Sequence, residues 1–133
     1  MKRVVFDTNV LISAFASPGG VPGQLYDAWN GGGFVLILSP FILREFSRIA
    51  QLKLDFSAQK VRGAVRTLAM LAEMFEPDKL TIKEIEPGDV PIIGTAVAGR
   101  ADVVVTGDKL LLKLKEYQDI RVVSPRAFLQ ELN

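Results

Sequence analysis

The sequence contains neither cysteine nor histidine among its 133 residues. Without cysteine the chain cannot form a disulfide, a thiolate zinc site or a cysteine nucleophile. Without histidine it cannot build a Ser-His-Asp triad or the usual imidazole sites for zinc and non-haem iron. Any catalysis must therefore come from carboxylates, lysine, serine, threonine or a bound ion. The lack of cysteine also suits a reducing compartment, and we expect a cytoplasmic protein.

Long hydrophobic runs and a charge imbalance are missing as well. No stretch approaches the ~20 apolar residues of a membrane span. The apolar run Val4–Phe6 near the start is too short for the core of a signal peptide. With 16 basic and 15 acidic residues the net charge is +1, so nothing indicates the strongly basic surface of a tight nucleic-acid binder. We therefore expect no membrane contact, and few phosphate contacts in any enzyme that acts on nucleic acid.

The remaining composition is that of a globular core. Hydrophobic residues make up 49% of the chain and charged residues 23%, which is ordinary for a folded domain. A chain of this length fits one domain, and no linker, repeat or low-complexity run divides it. The sequence thus predicts a single domain over residues 1–133.

Short apolar runs alternate with segments of helical spacing along the chain. Strands are predicted at Val4–Phe6, Phe34–Leu38, Asp102–Thr106 and Ile120–Val123, with Lys79–Ile85 as a candidate for one more. Helices are predicted at Val10–Phe15, Val21–Trp29, Phe41 to about Leu52, Ser57 to about Phe75, Val90–Gly99, Lys109–Leu114 and Ser124 to about Leu132. This alternation implies βαβ crossovers and a parallel sheet covered by helices on both faces, a three-layer α/β/α fold.

Four carboxylates lie at the ends of these strands or at the starts of the helices next to them. Asp7 directly follows the first strand, and Asp108 follows the Asp102–Thr106 strand by two residues. Asp89 begins the helix that leads into that same strand, and Glu45 lies one turn into the helix after the second strand. Ligands of parallel sheets gather at the carboxyl ends of the strands. We therefore expect all four acids to reach one edge of the sheet.

Each acid alone has an ordinary explanation, but the set does not. Asp89 and Asp108 stand where helix N-caps belong, and Glu45 suits a solvated helix position. Asp7, at the end of a buried strand, is poorly explained by packing. Four neighbouring carboxylates repel one another unless a cation neutralises them. All-oxygen ligation selects Mg²⁺ or Mn²⁺, so we predict such a site, with metal-assisted hydrolysis as its chemistry.

These residues resemble the PIN-domain ribonuclease family. The resemblance rests on VVFDTNVLISAF at the start, on Glu45 within SPFILREFSRIA, on GDVPIIGTAVAGRADVVVTGDKLLLKL and on the final VVSPRAFL. These motifs cover nearly the whole chain in the family's order. D-T-N and A-D-V-V-V-T-G-D are specific in combination and weak separately. Within the family, the chain is most similar to the VapC-like toxin components of prokaryotic toxin–antitoxin pairs.

The resemblance implies a function and a set of site residues. Asp7, Glu45, Asp89 and Asp108 match the family's four metal-binding catalytic acids, in that order. The expected activity is an endoribonuclease that cleaves RNA with Mg²⁺ or Mn²⁺ and leaves a 5′-phosphate and a 3′-hydroxyl. The expected fold has five parallel strands between helices. The expected partners are a second copy in a homodimer and a small antitoxin that blocks the acids.

Polar neighbours of the acids follow from the same resemblance. Thr8, Asn9 and Thr106 match side chains that hold the acids in place, although hydrogen bonding at strand ends is an alternative explanation. The chain departs from its relatives around Asp89, where Gly88 and Val90 replace further acids. A weaker second metal position follows from that departure.

Two pairs of basic residues lie beside the acids at helical spacing. Arg44 and Arg48 flank Glu45, and Lys109 and Lys113 follow Asp108. Either pair could contact backbone phosphates of RNA. The alternative is a solvated helix face.

Two other functions compete with the nuclease. FDTNV also resembles the opening of the haloacid-dehalogenase phosphatases, but Asn9 replaces the acid that such an enzyme needs as its general acid. A PIN-like binding module that has lost cleavage would retain the fold and fail to bind metal. A role in RNA processing instead of toxicity also stays open.

Overall fold

A six-stranded sheet lies at the centre of the computed structural model, which describes all residues from 1 to 133. Its strands are β1 (Arg3–Phe6), β2 (Val35–Leu38), β3 (Glu73–Met74), β4 (Val103–Val105), β5 (Glu116–Tyr117) and β6 (Ile120–Val123). Their order across the sheet is β3-β2-β1-β4-β6-β5. Only β5, paired with β6 in a hairpin, runs antiparallel. The mostly parallel sheet confirms the predicted α/β class, with one strand more than the five expected.

Helices flank this sheet. They are α1 (Thr8–Ala16), α2 (Val21–Asn30), α3 (Pro40–Lys53), α4 (Ala58–Leu71), α5 (Val90–Ala98), α6 (Lys109–Lys113) and α7 (Pro125–Leu132), with a 3₁₀ turn at Pro87–Asp89. Helix α5 packs on β1, β2 and β4, while α3 packs on α1 and α4. A helix with the length and apolar character of a bilayer span is not among them.

Serine caps set the starts of three helices, as the sequence predicts. Ser39, Ser57 and Ser124 each accept a hydrogen bond from the backbone N–H three residues further on, at 3.1 to 3.3 Å. Proline at the first position of α3 and α7 strengthens the signal, because its missing N–H is one that a helix start does not use. Ser39 and Ser124 thereby fix where the chain turns from β2 and β6 into the next helix.

Two predictions between residues 57 and 85 are wrong. The helix expected to reach about Phe75 ends at Leu71, because Glu73–Met74 pairs with the edge of β2 as the short strand β3. The candidate strand Lys79–Ile85 is irregular chain instead. Burial of Ile82 and Ile85 holds that chain in place without strand pairing.

The two central strands form the most buried part of the molecule. All three residues of Val4–Phe6 and of Val103–Val105 are fully buried within one contiguous hydrophobic core. β1 pairs with β4 in a parallel register that sets Phe6 opposite Val105. The residues that follow these two strands, Asp7 and Thr106, therefore leave the sheet side by side.

A close contact at Gly94 ties α5 to the irregular chain that follows β3. The N–H of Asp78 donates to the Gly94 carbonyl at 3.0 Å. A Cβ at position 94 would lie 2.4 Å from the Asp78 carbonyl oxygen, which is closer than a carbon atom can approach. Glycine is therefore needed here for packing.

We expect Gly94→Ala to destabilise the protein by about 1–3 kcal/mol, because either α5 or the Asp78 backbone must move. Gly63→Ala is the matched control, since Gly63 lies in α4 with nothing near its missing Cβ. There alanine should stabilise by about 0.5–1 kcal/mol through its higher helix propensity. Urea unfolding measures both changes. Equal effects of the two substitutions would contradict the packing role of Gly94.

Candidate functional site

One threonine hydroxyl joins two of the four predicted acids. The Thr106 hydroxyl donates to Asp7 Oδ2 at 2.7 Å, and the same oxygen accepts from the backbone N–H of Asp108 at 3.0 Å. The N–H of Asp7 in turn donates to the Val105 carbonyl at 2.9 Å, which extends the strand pairing to the acid itself. Backbone register and side-chain hydrogen bonding together place Asp7 and Asp108 at the carboxyl ends of β1 and β4.

Asp7 is a buried carboxylate with one oxygen left free. Its exposed fraction is 5%, and this burial raises the pKa of its carboxyl group. The Thr106 hydroxyl and the neighbouring backbone of Thr8 and Asn9 oppose the rise, whereas the charge of Asp108 adds to it. Thr106 donates to Oδ2, and no side chain donates a hydrogen bond to Oδ1. That oxygen is available to a cation.

Asp108 serves as the N-cap of α6, as its position suggests. Its Oδ1 accepts from the backbone N–H groups of Leu110 at 2.8 Å and Leu111 at 3.0 Å. No hydrogen bond reaches Oδ2. Capping and metal binding therefore do not exclude each other here, because each function can use a different oxygen.

Asp89 behaves differently from an ordinary cap. It ends the 3₁₀ turn and precedes α5, but its side chain makes no capping hydrogen bond. Burial, followed by the charges of Asp7, Asp108 and Glu86 in that order, raises the pKa of its carboxyl group to about 6. The negative charges of the acids at the strand ends therefore act on the Asp89 carboxylate. No positively charged group of the chain offsets this repulsion.

Three of the four acids line a single small cleft. Asp7, Glu45 and Asp89 surround a space of about 110 Å³, together with Thr8 and Asn9. Asp108 lies beside this cleft through its link to Thr106. Glu45 is turned toward Arg48, with which it forms an ion pair at 3.0 Å. No three of the acids stand close enough to form a closed metal-binding group, so the four-ligand convergence expected from the sequence is only partly realised.

The donor set nevertheless fits a magnesium ion. All candidate ligands are carboxylate oxygens, and the charges of Asp7 and Asp108 add to the effect of burial in raising the pKa of Asp89. Mg²⁺ keeps several waters and is usually held by one or two carboxylates together with a substrate phosphate. An open arrangement with free oxygens on Asp7 and Asp108 matches that habit better than a closed cage.

The other predicted residues take different positions. Thr106 holds both acids, whereas Thr8 is buried and Asn9 is exposed, each without a side-chain hydrogen bond. Lys109 and Lys113 lie exposed on α6. Their placement agrees with a solvated helix face.

A buried pair of hydroxyl groups lies near the cleft, and no pattern in the sequence predicts it. Thr95 Oγ1 lies 2.8 Å from Ser39 Oγ and 2.7 Å from the Pro91 carbonyl oxygen. The pair links the start of α3, which carries Glu45, to α5, which follows Asp89. Ser39 is recognisable as a helix cap, but a threonine inside an apolar helix has no pattern that predicts a partner.

An α/β sheet with acids at the carboxyl ends of its central strands defines the class of the protein. The model of the PIN domain family matches residues 3–110, and the chain belongs to that family. PIN domains are in general nucleases, and membership of the family is consistent with a hydrolase. The family assignment confirms the resemblance seen in the motifs.

Two further comparisons found proteins that are similar to this chain. An uncharacterized protein of Methanocaldococcus jannaschii is 28% identical over 144 residues, covering 97% of this chain and 90% of the relative. The crystal structure of VapBC2 from Rickettsia felis bound to a DNA fragment from their promoter is similar in fold, with a TM-score of 0.60 at 13% identity. That likeness covers 92% of this chain and 98% of the other.

The raised pKa of Asp89 predicts how stability depends on pH in metal-free buffer. The folded protein holds this proton up to a pH of about 6, whereas an unfolded aspartate releases it near 3.8. Between these values the folded state binds more protons, so its stability falls as pH rises, and the penalty persists above pH 6. We expect Asp89→Asn to remove this penalty and to melt above wild type at neutral pH in EDTA.

Asp119→Asn is the control, because Asp119 is an exposed acid in the β5–β6 turn. Melting curves from about pH 4 to pH 8 distinguish the variants, since the linkage acts in that window. Wild type and Asp89→Asn running parallel across the window would show that the acids around Asp89 do not repel it.

Proposed function

We propose that the chain is a metal-dependent endoribonuclease whose site is formed by Asp7, Glu45, Asp89 and Asp108. The observation that carries the proposal is the meeting of Asp7, Glu45 and Asp89 in one cleft, with Asp108 bound to Asp7 through Thr106. Acids that repel one another at the carboxyl ends of parallel strands form a suitable site for a divalent cation. Packing alone does not explain why they lie together.

Different residues of the site have different roles in hydrolysis. Asp7 and Asp108 would hold the cation, while Thr106 ties the Asp7 carboxylate to the backbone of Asp108. Mg²⁺ or Mn²⁺, when bound, supplies positive charge that polarises the phosphodiester and acidifies water. Asp89 lines the same cleft as Asp7, where its carboxylate would orient the attacking water and accept its proton.

Glu45 takes a role that depends on Arg48. In the structure its carboxylate is bound to that guanidinium, so it reaches the cleft only as one wall. We infer that Glu45 orients water or substrate and is less important for holding the cation than Asp7. The pair is exposed and contributes little to stability.

A toxin role and an antitoxin partner belong to the same proposal. The support is the fold shared with a protein that was crystallised as VapBC2 with promoter DNA. A small antitoxin would block the cleft, with a basic side chain placed against the acids. The single-domain organisation and the homodimer also stay predictions, and light scattering of the purified protein tests the latter.

A catalytically weak binding module is the second candidate. The ion pair of Glu45 with Arg48 and the lack of a closed metal-binding group favour it. It differs from the nuclease in one measurable respect, because it would gain no stability from Mn²⁺ or Mg²⁺.

The test compares wild type with Asp7→Asn on a labelled single-stranded RNA in Mg²⁺, in Mn²⁺ and in EDTA. Asparagine keeps the shape of the side chain and removes the charge that attracts the cation. We expect wild type to cut only with metal. The rate of Asp7→Asn should fall by more than ~100-fold, because mutation of residues that merely support a metal ligand already lowers activity by about 10–100-fold. Asp119→Asn should cut as wild type does.

Equal cutting by wild type and Asp7→Asn would assign the activity to a contaminant or to another site. No cutting by either protein, combined with no Mn²⁺-dependent rise in melting temperature, would favour the binding module. A rise in wild type that is lost in Asp7→Asn would place the cation at this site even before the correct RNA is known.

A further inference from the structure

A second, larger groove shares a wall with the acidic cleft. It has a volume of about 460 Å³ and lies between α3, the irregular chain around Lys79 and the start of α5. Phe41 lines both the groove and the cleft. Gly88 and Asp89 face the cleft, and the residues on either side of them in sequence, Pro87 and Val90, face the groove. A chain leaving the cleft past Phe41 would therefore enter the groove.

Two unpaired cations border this groove. Arg44 and Lys79 are both exposed and form no ion pair or hydrogen bond. Arg48, one turn further along α3, differs because Glu45 holds it. Asp78 is the single acid of the lining, so the groove has a net positive charge beside a cleft that is strongly negative. A polyanion with one phosphate at the acids would meet opposite charge at its next phosphates.

The floor of the groove is apolar and held rigid. Phe41, Leu80 and Val90 supply its hydrophobic surface. The hydrogen bond from Asp78 to Gly94 fixes the wall that carries Lys79. Grooves that combine cations with an aromatic ring are how proteins hold single-stranded nucleic acid, because bases stack on the ring while the backbone follows the charge.

The size of the groove favours a single strand over a duplex. Its volume falls in the range of sites that enclose small molecules, roughly 300–1,000 Å³. That space accommodates unstacked nucleotides and excludes a paired helix. Single-stranded RNA with splayed bases is the form that proteins read through stacking.

We propose that the groove bordered by Arg44 and Lys79 binds the unpaired RNA segment next to the bond that is cut. Arg44 and Lys79 contact its phosphates, and Phe41 and Leu80 contact its bases. The inference rests on the proposed ribonuclease function and adds to it the form of the substrate and its path. It also gives Arg44 a role in RNA binding that Arg48, which is paired with Glu45, does not share.

The test measures RNA binding in EDTA, where no cleavage interferes. Arg44→Gln with Lys79→Gln is compared with Arg62→Gln and Arg66→Gln on α4, a pair equally exposed and equally unpaired. Both double variants lose two positive charges. A labelled single-stranded RNA is titrated at several salt concentrations, and melting temperatures confirm that both variants are folded.

We expect the groove variant to reduce the slope of log K against log salt by about 1.4, since each phosphate contact on a single strand contributes about 0.7. Its affinity should fall roughly tenfold at about 0.1 M salt. The Arg62 and Arg66 variant should keep the wild-type slope. A duplex of the same sequence should respond equally to both double variants.

Equal slopes for the groove variant and wild type would overturn the inference and leave a polypeptide as the candidate occupant. Equal losses in both double variants would overturn it too, because the effect would then be one of net charge. If wild type cuts RNA with metal while the groove variant binds normally, only this inference fails. If wild type neither cuts RNA nor gains stability from Mn²⁺, the ribonuclease proposal fails, and the salt slope still decides whether the groove holds RNA.

Discussion

The parallel register between β1 and β4 is the constraint on which the site depends. It sets Phe6 opposite Val105, so the next residues of both strands emerge together and Thr106 can donate to Asp7. Because both strands are fully buried, a slip of one residue would turn every core side chain to the other face of the sheet. The hydrophobic core therefore fixes the separation of Asp7 and Asp108 more firmly than any interaction between the acids themselves.

The burial of Asp7 and the repulsion among the acids destabilise the site when no cation is bound. Asp7 is buried, and Asp89 carries a pKa raised by burial and by neighbouring acids. Such an arrangement costs stability in the absence of a cation. The surrounding structure offsets the cost through packing, since α5 carries Asp89 at its start and lies against three strands of the sheet. A divalent cation bound at these acids would consequently stabilise the fold.

Features encoded locally could be predicted from the sequence, and features made by distant contacts could not. The buried strands, the serine caps and the place of Asp7 follow from short-range patterns of apolar and capping residues. The end of α4 at Leu71 could not be predicted, because pairing with β2 outweighs helix propensity there. The position of Lys79 could not be predicted for a similar reason. Lys79 lies in irregular chain that is anchored on Gly94, and this anchoring brings it to the same groove as Arg44.

The acids show the same division. Sequence order predicts that they meet at one edge of the sheet, and three of them do share a cleft. The side-chain conformation of Glu45 decides the rest, since it turns the carboxylate toward Arg48. This conformation depends on a rotamer that no spacing rule specifies.

The central claim is that Asp7, Asp89 and Asp108 repel one another until a divalent cation joins them. The most direct test is an NMR titration of the Asp89 carboxyl carbon in labelled protein, first without metal and then with saturating Mg²⁺. The account predicts a pKa of about 6 without metal and a clear fall when Mg²⁺ is added. A pKa near the ordinary 3.8 that Mg²⁺ leaves unchanged would contradict it.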